Sequence, residues 1–245
     1  RRQRQMCIRD RFLRQLLKQI APSRRVVGGV AEGLKALLEY GNPYYADPEV
    51  RAEWLRDLGV EAGGRGRVLG WIGCTLGIRL PEVAKSFYRF MKRALGEEFV
   101  VLGAREICCG KPAVLLGGRE ESAKLASECA RAIGDSNAEI LVTPCPACYS
   151  SFKIEYEEIH GVELPVSEVL HLSEFAKRLM DEGKISPERP ESVPRVVAYH
   201  DPCELGRGMG IFEEPRELLE AIPGLKIVEF EERREDSRCC GGGGG

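Results

Sequence analysis

Apolar positions recur at helical spacing in the first forty residues. Phe12, Leu16, Leu17 and Ile20 share one face of a segment that Pro22 ends. The stretch "VVGGVAEGLKALLEY" predicts a second helix that stops before Gly41. "GNPYYADPEVRAEWLRDLGV" reads as a turn and a short helix, with Asp47 as N-cap and Pro48 at the first helical position. From residue 67 the rhythm alternates between strand and helix. "RVLGWIG" is a strand that ends at Cys74. A helix from Pro81 carries Val83, Phe87, Phe90, Met91 and Leu95, and "EFVVLG" is the next strand. "REESAKLASECARAIG" predicts a helix with Leu125, Cys129 and Ile133 on one face and Gly134 as its stop. "AEILVTPC" is a buried strand, and "SEFAKRLMDEG" a further helix. Such alternation implies parallel β-α-β units with helices covering a sheet.

The pattern then restarts. "RVVAYHDPC" is a strand running into Cys203, "EEPRELLEAI" a helix with Pro215 near its start, and "LKIVEFEE" a strand followed by "RREDSRCC". Setting Cys74 over Cys203 brings Cys108 within two positions of Cys239, which marks an internal repeat. The predicted class is α/β: two Rossmann-like β-α-β repeats related by internal duplication, the second truncated, preceded by a short helical region. Four segments follow: residues 1–11, 12–66 (helices and connector), 67–190 (first repeat) and 191–245 (second, incomplete repeat). The opening "RRQRQMCIRDR" has no apolar period and resembles translated sequencing-adapter read-through, with a natural basic arm as the alternative. It is set apart from the fold, and Cys7 with it.

Composition narrows the function. The 245 residues are 43% hydrophobic and 30% charged, with a formal net charge of -2. That balance suits a soluble globular chain and gives no reason to expect a nucleic-acid or anionic-membrane partner. No apolar run approaches the roughly 20 residues of a membrane helix, and no secretory signal is visible. The expected location is the cytoplasm, or the cytoplasmic face of a membrane reached through a partner subunit. Ten cysteines exceed what core filling needs. In a reducing compartment they argue for metal or redox chemistry over disulfides.

Their spacing sharpens this. Between Cys74 and the pair Cys108–Cys109 lie 33 residues, and 35 more precede Cys145 and Cys148 of "CPAC". In the second unit 35 residues separate Cys203 from Cys239–Cys240. Each cysteine falls at or beyond the carboxyl end of a predicted strand, or in a loop leading to a helix, and in open α/β sheets such ends converge on a ligand crevice. Pro144, Pro146 and Pro202 stiffen the loops. Gly110 and Gly241–Gly245 follow the two Cys pairs, letting backbone N–H groups approach sulfur. Zinc and an ordinary cubane cluster each need four ligands. Five thiols, two of them neighbours, favour a multinuclear iron site over zinc, although one cysteine could be a spare.

The pattern C-x33-CC-x35-CPAC followed by HDPC-x35-CCGGGGG resembles the duplicated cysteine-rich CCG domain. That domain occurs in the B and D chains of heterodisulfide reductases, and in the iron–sulfur subunits of glycolate, lactate and anaerobic glycerol-3-phosphate oxidising complexes. The resemblance covers roughly residues 40–245, and the connector after Gly41 is similar to that of the D-type reductase proteins. It implies a noncubane [4Fe–4S] cluster on Cys74, Cys108, Cys109, Cys145 and Cys148. Cys203, Cys239 and Cys240 then supply three of five ligands of a second cluster whose CxxC is missing from this chain. A reading frame continuing past residue 245 would bring that CxxC about 35 residues beyond Cys240. Departures from the family are the absence of ferredoxin-type cysteines before residue 40, and Glu204 after Cys203.

The resemblance implies an iron–sulfur oxidoreductase subunit of disulfide reductase type. The alternatives are an electron relay in a glycolate, lactate or glycerol-3-phosphate dehydrogenase complex feeding quinone, and a zinc-stabilised interaction module. Implied partners are a ferredoxin-like domain and a flavin or cytochrome b subunit, with a small thiol–disulfide or quinone-linked substrate. Among other residues, His200 is read either as a hydrogen-bond or proton donor near a cluster or substrate sulfur, or as a strand-end histidine satisfied by backbone. Lys111 either stabilises a reduced cluster or leaving thiolate, or is solvated. Arg207 is read as binding an anionic group or a helix end. Cys129 is expected simply to pack, and His160 and His171 to be surface or packing residues. "EFEERRED" reads as a solvated face, and "GVEAGGRGR" as a connector that lacks the ending of a phosphate loop.

Overall fold

The computed structural model describes residues 28–189, 191 and 194–241. The expected helix over residues 12–20, Cys7 and Gly242–Gly245 lie outside the described residues. Compactness divides the chain into two units between His171 and Leu172, whereas the sequence pattern restarts near residue 191.

The first unit begins with α1 (Gly28–Tyr40) and a turn held by the buried Asn42. Asn42 donates to the carbonyls of Tyr40 and Ala46, and its side-chain oxygen accepts from the Tyr44 and Ala46 amides. Asp47 caps the following 3-10 turn (Pro48–Ala52) by accepting from the Glu49 amide, with Pro48 at its start as predicted, and α2 (Glu53–Leu58) follows.

The strands β1 (Val68–Gly70), β2 (Phe99–Val101), β3 (Ile140–Thr143) and β4 (Glu168–His171) form a wholly parallel sheet of order β2-β1-β3-β4. The registers pair Leu69 with Val100 and Leu141, and Leu141 with Val169. The chain leaves β1 to one side for β2 and returns on the other for β3, so β1 is a topological switch point.

Helix α3 (Pro81–Leu95) has the predicted bounds. Its buried stripe is Ala84, Phe87, Tyr88 and Met91, spaced i, i+3, i+4 and i+7, and Val83 is exposed. Phe87 and Met91 are thus buried as expected, while Ala84 and Tyr88, rather than Val83, complete the stripe. Phe87 and Tyr88 meet Phe99 of β2 at ring distances of 5.9 and 5.7 Å, and Tyr88 meets Trp54 of α2 at 5.7 Å. Helix α4 (Lys111–Leu115) is short, and α5 (Arg119–Gly134) buries Leu125, Cys129 and Ile133 as predicted.

Two elements lack a clear signal in the sequence. One is β4. The other is α6 (Pro146–Ser150), which continues as a wider, π-helical stretch from Ser151 to His160. The buried side of that helix mixes Tyr149, Phe152 and Tyr156 with Ser150, Ser151 and Glu155. Polar residues on the inner face erase the apolar period that sequence reading depends on.

The second unit contains α7 (Leu172–Asp181), β5 (Val196–Tyr199), α8 (Gly206–Met209), α9 (Glu214–Glu220) and β6 (Lys226–Glu229). β5 and β6 pair in parallel, Ala198 opposite Val228. Arg216 of α9 ties their ends together. It donates two bonds to Asp201 (2.7 and 2.8 Å) and two to Glu229, and its guanidinium lies 4.8 Å from the Tyr199 ring. Among the described residues no helix is long and apolar enough to cross a membrane.

The close packing of β1 is testable. A Cβ on Gly70 would lie 2.7 Å from the Phe99 ring and 2.9 Å from Phe87. Gly70→Ala is therefore expected to cost roughly 1–3 kcal/mol by overpacking, measured by urea unfolding. An unchanged midpoint would contradict this packing.

Candidate metal centre

All three loops that carry cysteines in the first unit leave the carboxyl ends of neighbouring strands. Cys74 follows β1, Cys108 and Cys109 follow β2, and Cys145 and Cys148 follow β3. Gly73 has φ +83°, and a Cβ there would come 3.3 Å from Cys148 Sγ and 3.5 Å from Cys145 Cβ. Only glycine lets the β1 loop pass so close to the β3 loop. The Cys108 amide donates to the Gly41 carbonyl at 2.7 Å, which closes the connector turn onto the Cys pair. Pro146 starts α6, and the Tyr149 amide donates to the Cys145 carbonyl at 2.9 Å. Cys145 and Cys148 are therefore one helical turn apart.

The five sulfurs form one continuous row. Side-chain hydrogen bonds join Cys74 to Cys108, Cys108 to Cys109, Cys109 to Cys148, and Cys148 to Cys145. Cys74, Cys108, Cys109 and Cys148 are buried, Cys145 is partly exposed, and every described cysteine is a free thiol. Acidity alternates along the row. The hydrogen bond from Cys108 lowers Cys74, against the opposing effect of burial. Cys109 is held well below the usual thiol range by bonds from Cys108 and Cys148, and further by the Lys111 amide and charge. Cys145 is lowered by its bond from Cys148. Cys108 and Cys148 are pushed well up, chiefly by their bonds to Cys109. The thiol pKa is thus raised at Cys108 and Cys148 and lowered at Cys74, Cys109 and Cys145, and metal ligation takes the thiolate form and releases the remaining protons. Among the described residues, no three or more His, Cys, Asp or Glu side chains are grouped to hold a single metal ion.

Two buried ion pairs flank the row. Arg51, from the 3-10 turn, places Nη2 3.3 Å from Cys74 Sγ and 2.9 Å from the Gly41 carbonyl. Its Nη1 donates to Glu106 Oε1 at 3.1 Å and to the Ile107 carbonyl at 3.3 Å. Glu106 also accepts the Ile72 and Gly73 amides at 2.8 and 2.7 Å. Burial pushes its carboxyl above the usual carboxylate range, against the opposing pull of Arg51 and these two amides. Three N–H donors on one carboxyl group match an ionised carboxylate. Burial disfavours the Arg51 charge, but the Cys74 sulfur and Glu106 outweigh it and hold the pKa above the ordinary value. The second pair is Lys111, whose Nζ donates to Glu155 at 2.5 Å and to Ser150 at 3.0 Å. Ser151 donates to Glu155 and to the Cys109 carbonyl. The expected cation beside the Cys pair is thus a buried one, matched by a carboxylate.

Other residues around the row bond to its backbone or to the loops beside it. The Cys129 thiol packs fully buried and donates to the Cys108 carbonyl at 3.4 Å, and burial keeps it protonated. Tyr156 donates to the Cys109 carbonyl at 3.0 Å. His171 is buried at the end of β4, with Nε2 3.3 Å from the Pro144 carbonyl and its ring 5.9 Å from Tyr149.

In the second unit Cys203 is partly exposed, and Cys239 and Cys240 are exposed. Burial, then the charges of Glu204 and Cys239, raise Cys203. Cys239 Sγ accepts the Gly241 amide at 3.4 Å. His200 donates through Nε2 to the Arg238 carbonyl at 2.9 Å, and Arg207 donates to Ser237 Oγ at 2.9 Å and to the carbonyls of Ser237 and Glu235. Both side chains bind the backbone ahead of the second Cys pair.

Arg51, Glu106, Glu155 and the two serines carry no sequence signal. No motif marks them: an arginine in a charged short helix reads as solvated, and Glu106 sits in a loop.

A row of thiols at the carboxyl edge of a parallel sheet, at its switch point, defines a cysteine-rich α/β domain. The model of the cysteine-rich CCG domain matches residues 68–153 and 197–245, more than half of the chain, and the protein belongs to that family. The D chain of the dihydromethanophenazine:CoB–CoM heterodisulfide reductase of Methanosarcina acetivorans is 36% identical over 214 residues, 86% of this chain and 51% of the relative. The EtfAB:quinone oxidoreductase of Syntrophomonas wolfei is 33% identical over 214 residues, covering 83% and 29%. The B chain of the CoM/CoB fumarate reductase of Methanothermobacter marburgensis is 34% identical over 193 residues, covering 78% and 36%. The chain spans about half the length of the heterodisulfide reductase proteins it matches. No solved structure matches it.

His171 makes the site's support sensitive to acid. Burial lowers its pKa to about 4. Its neutral form is favoured by folding, so the unfolded chain binds the extra proton first. Stability from this group is complete above its unfolded pKa of about 6.5 and is lost as pH falls toward 4, by on the order of 3 kcal/mol. Urea unfolding of the reduced protein at pH 7 and 4.5 should show that loss shrinking in His171→Gln. Equal pH slopes for the two proteins would refute it.

Proposed function

We propose that Cys74, Cys108, Cys109, Cys145 and Cys148 hold one iron–sulfur cluster, and that the protein is a redox subunit of disulfide reductase type. The observation that carries this reading is the unbroken row of five sulfurs. A row suits several adjacent irons, whereas zinc asks for four ligands about one point. A noncubane [4Fe–4S] cluster is the form with five cysteine ligands that the resemblance implies. When bound, such a cluster accepts and passes single electrons and can offer iron to a substrate sulfur.

The chain's own residues prepare that chemistry. Arg51 and Lys111 offset part of the thiolate charge, and their carboxylate partners keep the buried charges matched. Gly73 and Gly110 bring backbone close to the sulfurs, and the buried Cys pair is kept from water. Reducing a disulfide consumes two electrons and two protons and releases two thiols. We assign Cys203, Cys239 and Cys240 to a second site in a duplicated repeat over residues 191–245, matching the first over 67–190. His200 and Arg207 shape its loop. Both Cys74 and Cys203 lie four residues beyond a strand, which supports the duplication. Other redox subunits are the expected partners.

The names of the EtfAB:quinone oxidoreductase and fumarate reductase relatives favour a second reading, an electron relay toward quinone or another acceptor. The same site serves it without disulfide cleavage.

Anaerobic reconstitution followed by iron, sulfide and zinc analysis and visible absorption tests the site. The expected protein is brown, with several irons and matching sulfide. Cys109→Ala is expected to weaken retention by roughly tenfold or more, and Cys129→Ala to leave it intact. A colourless protein carrying one zinc would sink the proposal. Mixing the reduced protein with small disulfides separates the two redox readings, since only the reductase type is reoxidised with release of thiols.

A further inference from the structure

The Arg51 guanidinium reaches the thiol row through one nitrogen and a carboxylate through the other. Nη2 lies 3.3 Å from Cys74 Sγ, and Nη1 lies 3.1 Å from Glu106 Oε1. Both side chains are almost wholly buried. Water therefore does little to screen either charge, and the guanidinium acts on the sulfur at close range. Glu106 is fixed in turn by the Ile72 and Gly73 amides, the two residues that lead into Cys74.

We infer that Arg51 tunes the electron affinity of the group held at Cys74, and that Glu106 moderates it by neutralising part of the guanidinium charge. The inference rests on the reading of these cysteines as cluster ligands. Hydrogen bonds to ligand sulfurs and nearby positive charge favour the reduced, more negative state of an iron–sulfur centre. A hydrogen bond to a charged group is strong enough to move a redox equilibrium by about tenfold or more. The two residues thus act in opposite directions. Arg51 raises the potential, and Glu106 holds that rise in check. Both also pin loop backbone, so each is a positioning residue, and loss of cluster alone does not separate tuning from scaffolding.

The sign of the shift does separate them. The full chain is reconstituted anaerobically and its potential measured by titration, followed by visible absorption and electron paramagnetic resonance. Arg51→Gln should favour the oxidised form about tenfold at a fixed potential, a fall of about 59 mV for a one-electron couple. Glu106→Gln should shift the potential the opposite way. Arg51→Lys keeps a charge but lacks the fork that spans Cys74 and Glu106, and should fall between wild type and Arg51→Gln. Should Arg51→Gln not assemble, Arg51→Lys below and Glu106→Gln above the wild type remains the required order. Unchanged potentials, or shifts of the same sign, overturn the inference even when every protein carries its iron. A wild-type protein that takes up no iron would instead overturn the ligand assignment beneath it.

Discussion

The first unit turns on a single buried contact, the guanidinium of Arg51 against the carboxylate of Glu106. Through it three regions of chain that are distant in sequence are held together: the Gly41 turn with the 3-10 turn after it, the Ile72–Cys74 loop, and Glu106–Cys108, whose Cys108 amide also meets the Gly41 carbonyl. A buried charge pair gains little net stability over an apolar pair of the same shape, but loss of one partner is costly. What the pair secures is position. It sets where Cys74 lies relative to Cys108, and the remaining sulfurs follow from the loops that pack against these two.

Thiols that ligate metal carry negative charge, and such charges crowded into one row repel one another strongly without compensation. The structure supplies it in three forms. Cys108 and Cys148, pushed well up in pKa, alternate with neighbours whose pKa is lowered and donate to them. Arg51 stands at one end, and Lys111 beside Cys109. Backbone groups do the rest: the Lys111 amide faces Cys109, and Gly110 at φ +89° turns the chain to present it. The carboxylates behind the two cations keep the unit from carrying excess positive charge. The polar inner face of α6 and its π-helical continuation belongs to this support, with Ser150, Ser151 and Glu155 placed under the Cys pair.

Much of the fold is legible along the chain. Helices α3 and α5 fall where the apolar period puts them, because each has one apolar face and sharp ends at Pro81 and Gly134. Asp47 and Pro48 announce the 3-10 turn for the same local reason. β4 escapes sequence reading because Glu168–His171 runs straight into α7 without a turn residue to mark its end. The helix from Pro146 to His160 escapes it because its buried face is half polar. His171, which reads as a surface or packing residue, is buried beneath the Cys145 loop at the end of that hidden strand.

The site divides along similar lines. Cysteine identity and spacing, with strand ends preceding each loop, suffice to name Cys74, Cys108, Cys109, Cys145 and Cys148 as one constellation, because thiols are scarce and parallel strands all deliver their loops to the same edge. Lys111 is legible by adjacency to the Cys pair. Strand order, which puts β1 between β2 and β3, and the order of sulfurs along the row emerge only from folding. So do the partners of the buried charges, since a carboxylate 55 positions away from Arg51 leaves no local trace in the chain. Local chemistry is written residue by residue, whereas charge compensation in a dry interior depends on which distant groups packing brings within a few ångströms.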